Sequence, residues 1–180
     1  MLKYIITLFL LIFFQCKNPI QLKDYGKVDN FVLTNHNNQP IELYSLKDKP
    51  ILLFFGYTHC PDYCPTTLSK LSRIYQKLPE KQKPYIVLIT IDPERDSPEV
   101  LKEYIKKFNA DIIALTGSKQ EIDQVAKKLG IFYRVEKKMD HIHVEHTTST
   151  FFLDKDFHIR YIFSFRDPED VYLDVFDSYF

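Results

Sequence analysis

Two apolar runs stand out along the chain: Ile51-Leu52-Leu53-Phe54-Phe55, unbroken, and Tyr85-Ile86-Val87-Leu88-Ile89-Thr90-Ile91, interrupted once by a threonine. Short runs of this kind are what strands covered on both faces require. Between them, Thr66 to Leu78 places Leu68, Leu71, Ile74, Tyr75 and Leu78 at the intervals of one helix face. Pro65 suits a first helical turn, because the N–H it lacks would go unbonded there. The spacing predicts a helix that begins at Cys64 and stops at Leu78-Pro79. Strand, helix and strand in this order imply a parallel pair joined by a right-handed crossover.

The remaining elements follow from the same periodicities. Phe31-Val32-Leu33-Thr34 and Pro40 to Tyr44 alternate around Asn35 to Gln39, a hairpin in which Asn37-Asn38 tolerates positive φ. A helix capped by Ser97 is expected to turn Val100, Leu101, Tyr104, Ile105 and Phe108 inward, and Ile112 to Leu115 reads as a third strand. Ser118 with Glu121 makes a capping box for a helix through Leu129, which Gly130 ends. Ile131 to Val135 reads as an extended arm and Glu136 to Glu145 as a polar loop. Thr147–Leu153 and His158–Phe163 form a strand pair across Asp154 to Phe157, and a last helix runs from about Pro168 to Asp177.

The chemistry lies where the first apolar run ends. Gly56-Tyr57-Thr58-His59-Cys60-Pro61-Asp62-Tyr63-Cys64-Pro65 puts two thiols between the carboxyl end of a buried strand and the amino end of a helix. Unbonded N–H groups and the helix dipole favour a thiolate there, so both cysteines are expected to ionise more easily than a free one. With three residues between them, both can fall on one face and share an ion, or close a disulfide. Two thiolates with one imidazole suit copper, Cu(I) above all, whereas closed zinc sites take four ligands. Sites in open α/β sheets lie at the carboxyl edge, so the second run delivers Asp92 and its loop beside the cysteines.

The stretch Phe55 to Leu68 resembles the copper-site signature of the SCO/SenC family, thioredoxin-fold proteins that bind copper and help assemble the copper A centre of cytochrome c oxidase. Asp92-Pro93-Glu94-Arg95-Asp96 is similar to the family's D-P-E-R-D segment, Leu115-Thr116-Gly117 to its L-T-G, and His146 to Asp154 to its histidine-led strand. The resemblance covers about residues 26 to 163. It implies an α/β thioredoxin-like fold, a central mixed sheet flanked by helices, with an N-terminal β-hairpin. It implies Cys60, Cys64 and His146 as ligands of copper, as Cu(I), Cu(II) or both, with Asp92 and Asp96 behind the site or docking a partner. The implied activity is a copper metallochaperone for the copper-binding subunit of cytochrome c oxidase, or for another copper protein. The alternative is a thiol-disulfide oxidoreductase using the pair Cys60 and Cys64 to reduce the cysteines of a copper-receiving protein. Thioredoxin oxidoreductases set a cis-proline before the strand that follows His146; here no proline occurs between Pro98 and Pro168. Family members usually have glycine in the turn occupied by Phe157.

Composition narrows the rest. In 180 residues, 45% hydrophobic and with 24 basic against 24 acidic side chains, there is material for one cored domain and no basic stripe for nucleic acid. His141, His143 and His146 form an H-x-H-x-x-H run, of which the first two read as a solvated loop. Met1-Leu2-Lys3 followed by the apolar Tyr4 to Phe14 is too short to span a bilayer of about 30 Å and reads as an export signal over residues 1–15. Cys16, just after it, resembles a lipidation site, with Phe13 and Gln15 departing from the usual motif. Residues 16–26 then form a tether, and 27–180 the copper-binding domain. The expected placement is exported and membrane-anchored through the lipid, facing the periplasm or the cell exterior.

Overall fold

The computed structural model of the chain describes residues 19–137, 142–146 and 148–180. Its main sheet has seven strands: β1 (Val32–Asn35), β2 (Pro40–Glu42), β3 (Ile51–Gly56), β4 (Tyr85–Thr90), β5 (Ile112–Thr116), β8 (Thr150–Leu153) and β9 (Ile159–Phe163), in the order β2-β1-β5-β4-β3-β8-β9. The helices are α1 (Tyr63–Lys77), α2 (Pro98–Ile105), α3 (Lys119–Lys128) and α4 (Glu169–Tyr179). Strands β3, β4 and β5 are parallel, whereas β8 runs against β3 and β1 against β5. This is the mixed, thioredoxin-like sheet with a preceding hairpin that the sequence implies.

The two apolar runs are buried because the pleat sends their residues to opposite cores. Ile51, Leu53 and Phe55 join Val87 and Ile89 in one cluster with Ile122, Val125 and Ala126 of α3. Leu52 and Phe54 join Ile86 and Leu88 in the other, with Leu68, Leu71 and Ile74 of α1, Leu101 of α2, and Tyr172, Val175 and Phe176 of α4. Cys60 and Cys64 pack with the first of these clusters.

Several elements differ from expectation in physically informative ways. The second hairpin strand ends at Glu42, because Leu43 and Leu46 bury themselves through a short 3-10 turn, Leu43–Leu46. Asn38 has φ of 59°, as the turn demands. Val100 is 38% exposed, so α2 turns Leu101 and Tyr104 inward without it. The capping box forms, Glu121 N–H donating to Ser118 Oγ at 3.3 Å and Ser118 N–H to Glu121 Oε2 at 2.7 Å. The expected polar loop is largely strand: β6 (Tyr133–Lys137) and β7 (Ile142–His146) make an antiparallel ribbon of their own. Alternation in Tyr133-Arg134-Val135 and Ile142-His143-Val144 carries it, a faint signal amid so many charged residues. Phe157 adopts φ of 68°, left-handed in spite of its bulk, and is held there by burial and by stacking on Tyr44 at 4.5 Å.

Part of the stretch read as a tether is packed. Lys23 and Tyr25 N–H groups donate to the Arg160 and Ile159 carbonyls of β9 at 3.3 and 2.9 Å, and Ile20 and Leu22 lie against the α1/α4 core. Residues 1–15, Cys16 and His141 lie outside the described residues. Among the described residues no helix is long and apolar enough to cross a membrane.

Candidate metal centre

Strand β3 ends at Gly56, and its chain turns through Tyr57-Thr58-His59-Cys60 into α1, whose second residue is Cys64. Both sulfurs belong to thiols and are buried, Cys60 8% and Cys64 2% exposed. The Cys64 N–H, one of the unbonded donors of the first helical turn, donates to Cys60 Sγ at 3.4 Å. The two side chains are hydrogen-bonded to each other as well. Gly56 makes this possible: a Cβ there would sit 3.0 Å from Cys64 Sγ and 3.2 Å from Leu88 Cδ1. The glycine is present for space, since its φ is not left-handed.

The expectation that both thiols ionise easily fails for Cys64. The hydrogen bond with Cys60 and burial push its thiol far above the ordinary value, outweighing a backbone hydrogen bond at Tyr57 that acts the other way. Helix N–H groups help an anion only where the sulfur is not at the same time desolvated and sharing a proton with its neighbour. A soft cation replacing that proton would convert the pair to thiolates, and two buried sulfurs at the junction of loop and helix fit such an ion.

Asp96 is the carboxylate that shapes the loop. Fully buried, it accepts from Thr58 N–H at 3.0 Å, Thr58 Oγ1 at 2.6 Å and Thr90 Oγ1 at 2.6 Å, tying the cysteine loop to β4. Asp92 is buried too and pairs with Arg95; its N–H donates to Thr90 Oγ1 at 3.0 Å. Asp96 thus ties the cysteine loop down, while Asp92 bonds within its own turn to Arg95 and to the Asp96 N–H. The His59 ring turns away to Thr58 Oγ1, 3.0 Å, and toward Asp96 Oδ1, 3.7 Å.

Two tyrosines were not singled out from the sequence. Tyr57 hydrogen-bonds Cys60, and burial with the nearby thiols raises its hydroxyl to about 12. Tyr104 reaches in from α2; its buried hydroxyl has no hydrogen-bond partner among the described residues and is raised by burial, then by Cys64, Cys60 and Asp96. Tyr57 adjoins the motif and was readable as a neighbour; Tyr104 lies forty residues beyond Cys64 and only the fold brings it near.

His146 ends β7, its Cα paired with that of Tyr133, and its side chain lies outside what the structure describes. The strand that follows it, β8, nevertheless starts at the edge where the cysteines lie. Thr150 pairs with Phe54, two residues before Gly56, because β8 runs antiparallel to β3. Only three residues separate His146 from Thr150, four steps of the chain that span at most about 13 Å when extended. His143 pairs in the ladder with Glu136. Among the residues whose side chains are described, no group of three His, Cys, Asp or Glu gathers around one point.

A thioredoxin-like sheet with a buried dithiol at the β3/α1 junction defines the class. The SCO1/SenC family model matches residues 21–180, and the chain belongs to that family. It is 40% identical over 130 residues to an SCO2-like protein of Rickettsia prowazekii, the match covering 70% of this chain and 63% of that relative. The chain thus spans less than two thirds of that relative's length. The solved structure of Bradyrhizobium japonicum ScoI with copper bound superposes with a TM-score of 0.76 at 30% identity, over 86% of this chain and 98% of that one. A SCO1/SenC family lipoprotein from Bacillus anthracis gives a TM-score of 0.72 at 25% identity, over 89% and 96%.

Proposed function

We propose that the protein is a copper metallochaperone that holds copper through Cys60, Cys64 and His146 and passes it to the copper-binding subunit of cytochrome c oxidase during assembly. The observation that carries this reading is the pair of buried thiols joined by the Cys64 N–H bond to Cys60 Sγ where the β3–α1 loop enters the helix, with His146 four positions before Thr150, the start of β8 at the same sheet edge. Its relative ScoI, solved with copper bound, supports the choice of metal. Two thiolates and an imidazole leave a copper ion open on one side. A cysteine thiolate of the receiving protein can bond there while a resident ligand leaves, so the ion moves without being set free. Binding displaces the thiol protons, which couples loading to pH.

Exchange of a disulfide with a partner is the competing reading, in which Cys60 and Cys64 lose two electrons and two protons to the partner's cystine. The tightly held Cys64 proton would make Cys60 the attacking thiol in that reading and leave Cys64 to resolve the mixed disulfide. Export through residues 1–15 and lipidation at Cys16 complete the proposal, and would set the domain at a membrane surface facing the periplasm or cell exterior.

The test is anaerobic Cu(I) loading of the wild type and of Cys60→Ser, Cys64→Ser and His146→Ala, with bound metal measured after desalting. One copper per wild-type chain is expected, with retention lost or sharply weakened in each variant. Equal retention by His146→Ala would remove that residue from the site. Full thiol-exchange rates in His146→Ala, with copper binding absent from the wild type, would favour the oxidoreductase.

A further inference from the structure

We infer that Tyr133, held by Asp123 and Lys119 of α3, is the positioning residue that sets where His146 enters the copper site; this rests on the ligand set proposed above. The β6–β7 ribbon forms no ladder with the seven-stranded sheet, and a lone two-stranded ribbon has little stability of its own. Its place must be fixed at its root. There Ile131 is buried and its N–H donates to the Ala126 carbonyl at the end of α3 at 2.8 Å. Two residues on, the Tyr133 hydroxyl donates to Asp123 Oδ1 and accepts from Lys119 Nζ at 3.1 Å. Lys119 also sits 4.8 Å above the Tyr133 ring and bridges both Asp123 oxygens at 2.7 and 2.9 Å. The ring packs against the same core cluster that contains Cys60 and Cys64.

Tyr133 is the ladder partner of His146. Directly opposed Cα atoms in an antiparallel pair lie about 4.5–5.5 Å apart, so a shift of one is a shift of the other. Residue 146 is therefore held from two sides: through Tyr133 to α3, and through Thr150 to β3. If the first hold is cut, the ribbon can pivot about the second. The effective concentration of the imidazole at the thiols then falls with no ligand removed. The Lys119–Asp123 pair is half exposed, 54% and 49%, and an exposed pair adds little to overall stability. Its use is in placing Tyr133.

The experiment is a double-mutant cycle on the full chain, with Cu(I) affinity measured by competition against bathocuproine disulfonate and folding checked by urea denaturation. Tyr133→Phe removes only the hydroxyl, and Asp123→Ala removes its acceptor. In the wild-type background each is expected to weaken Cu(I) binding roughly three- to tenfold, the worth of a hydrogen bond or so. In the His146→Ala background the same changes should have no effect, because there is no imidazole left to misplace. An equal loss in both backgrounds would overturn the inference, as would no loss in the wild-type background while His146→Ala alone weakens binding. If His146→Ala leaves affinity intact, the ligand set itself is wrong and the positioning role goes with it.

Discussion

Asp96 grips Thr58 twice, accepting from its backbone N–H at 3.0 Å and its hydroxyl at 2.6 Å, from a position with no exposed surface. The loop that carries Cys60 is thereby fixed to a carboxylate thirty-eight residues along the chain, which the Thr90 hydroxyl ties to β4.

Replacing Asp96 should therefore act on fold and site together. Asp96→Ala removes the acceptor of the buried Thr90 hydroxyl and of the partly buried Thr58 hydroxyl and N–H, at about 3–5 kcal/mol in urea denaturation. Asp96→Asn, which keeps the volume but turns a donor toward donors, should cost about 2–3 kcal/mol and reduce copper loading. A loss below about 1 kcal/mol for Asp96→Ala would mean that the clamp is not part of the folded state in solution.

Gly56→Ala would place a methyl 3.0 Å from Cys64 Sγ. Crowding of this kind costs about 1–3 kcal/mol. Because the sulfur is the nearest obstacle, the penalty should shrink in a Cys64→Ala background without vanishing, since Leu88 Cδ1 and Phe54 Cε2 remain at 3.2 and 3.3 Å. An unchanged penalty would show that Leu88 and Phe54, not the sulfur, resist the methyl.

Alkali should destabilise the metal-free protein. The folded state holds the Cys64 proton more tightly than an unfolded chain does, so this contribution is complete below the ordinary thiol value of 9.0 and is lost as pH rises past it. One proton's difference corresponds to a slope of about 1.4 kcal/mol per pH unit. Tyr57, raised from 10.0 to about 12, adds a second decline over that interval. Cys64→Ser should flatten the first limb and Tyr57→Phe the second, read from urea midpoints between pH 8 and 11. Flat stability across this range in the wild type would contradict both.

Much of this was legible in the chain itself. The runs at Ile51 and Tyr85 announced β3 and β4 because residues buried on both faces leave no polar alternation. Ser97 and Ser118 marked helix starts because capping is local chemistry. Cys60 and Cys64 stood out by spacing. What stayed hidden depends on contacts distant in sequence. Nothing near Asp96 says that its partners are Thr58 and Thr90, and nothing near Tyr133 says that α3 will hold its hydroxyl. The ionisation of Cys64 was misjudged because helix position is visible in sequence, whereas desolvation and a shared proton are not.

The N-terminal strap along β9 has a consequence for traffic. Lys23 to Lys27 hydrogen-bonds to the outer side of that strand, and the opposite margin of the sheet is β2, three residues long and opened by Pro40. Neither margin offers a bare row of amides for a foreign strand to anneal to. In the proposed carrier role, partners would thus be met at the sulfurs and released again, and not zipped in along the flanks.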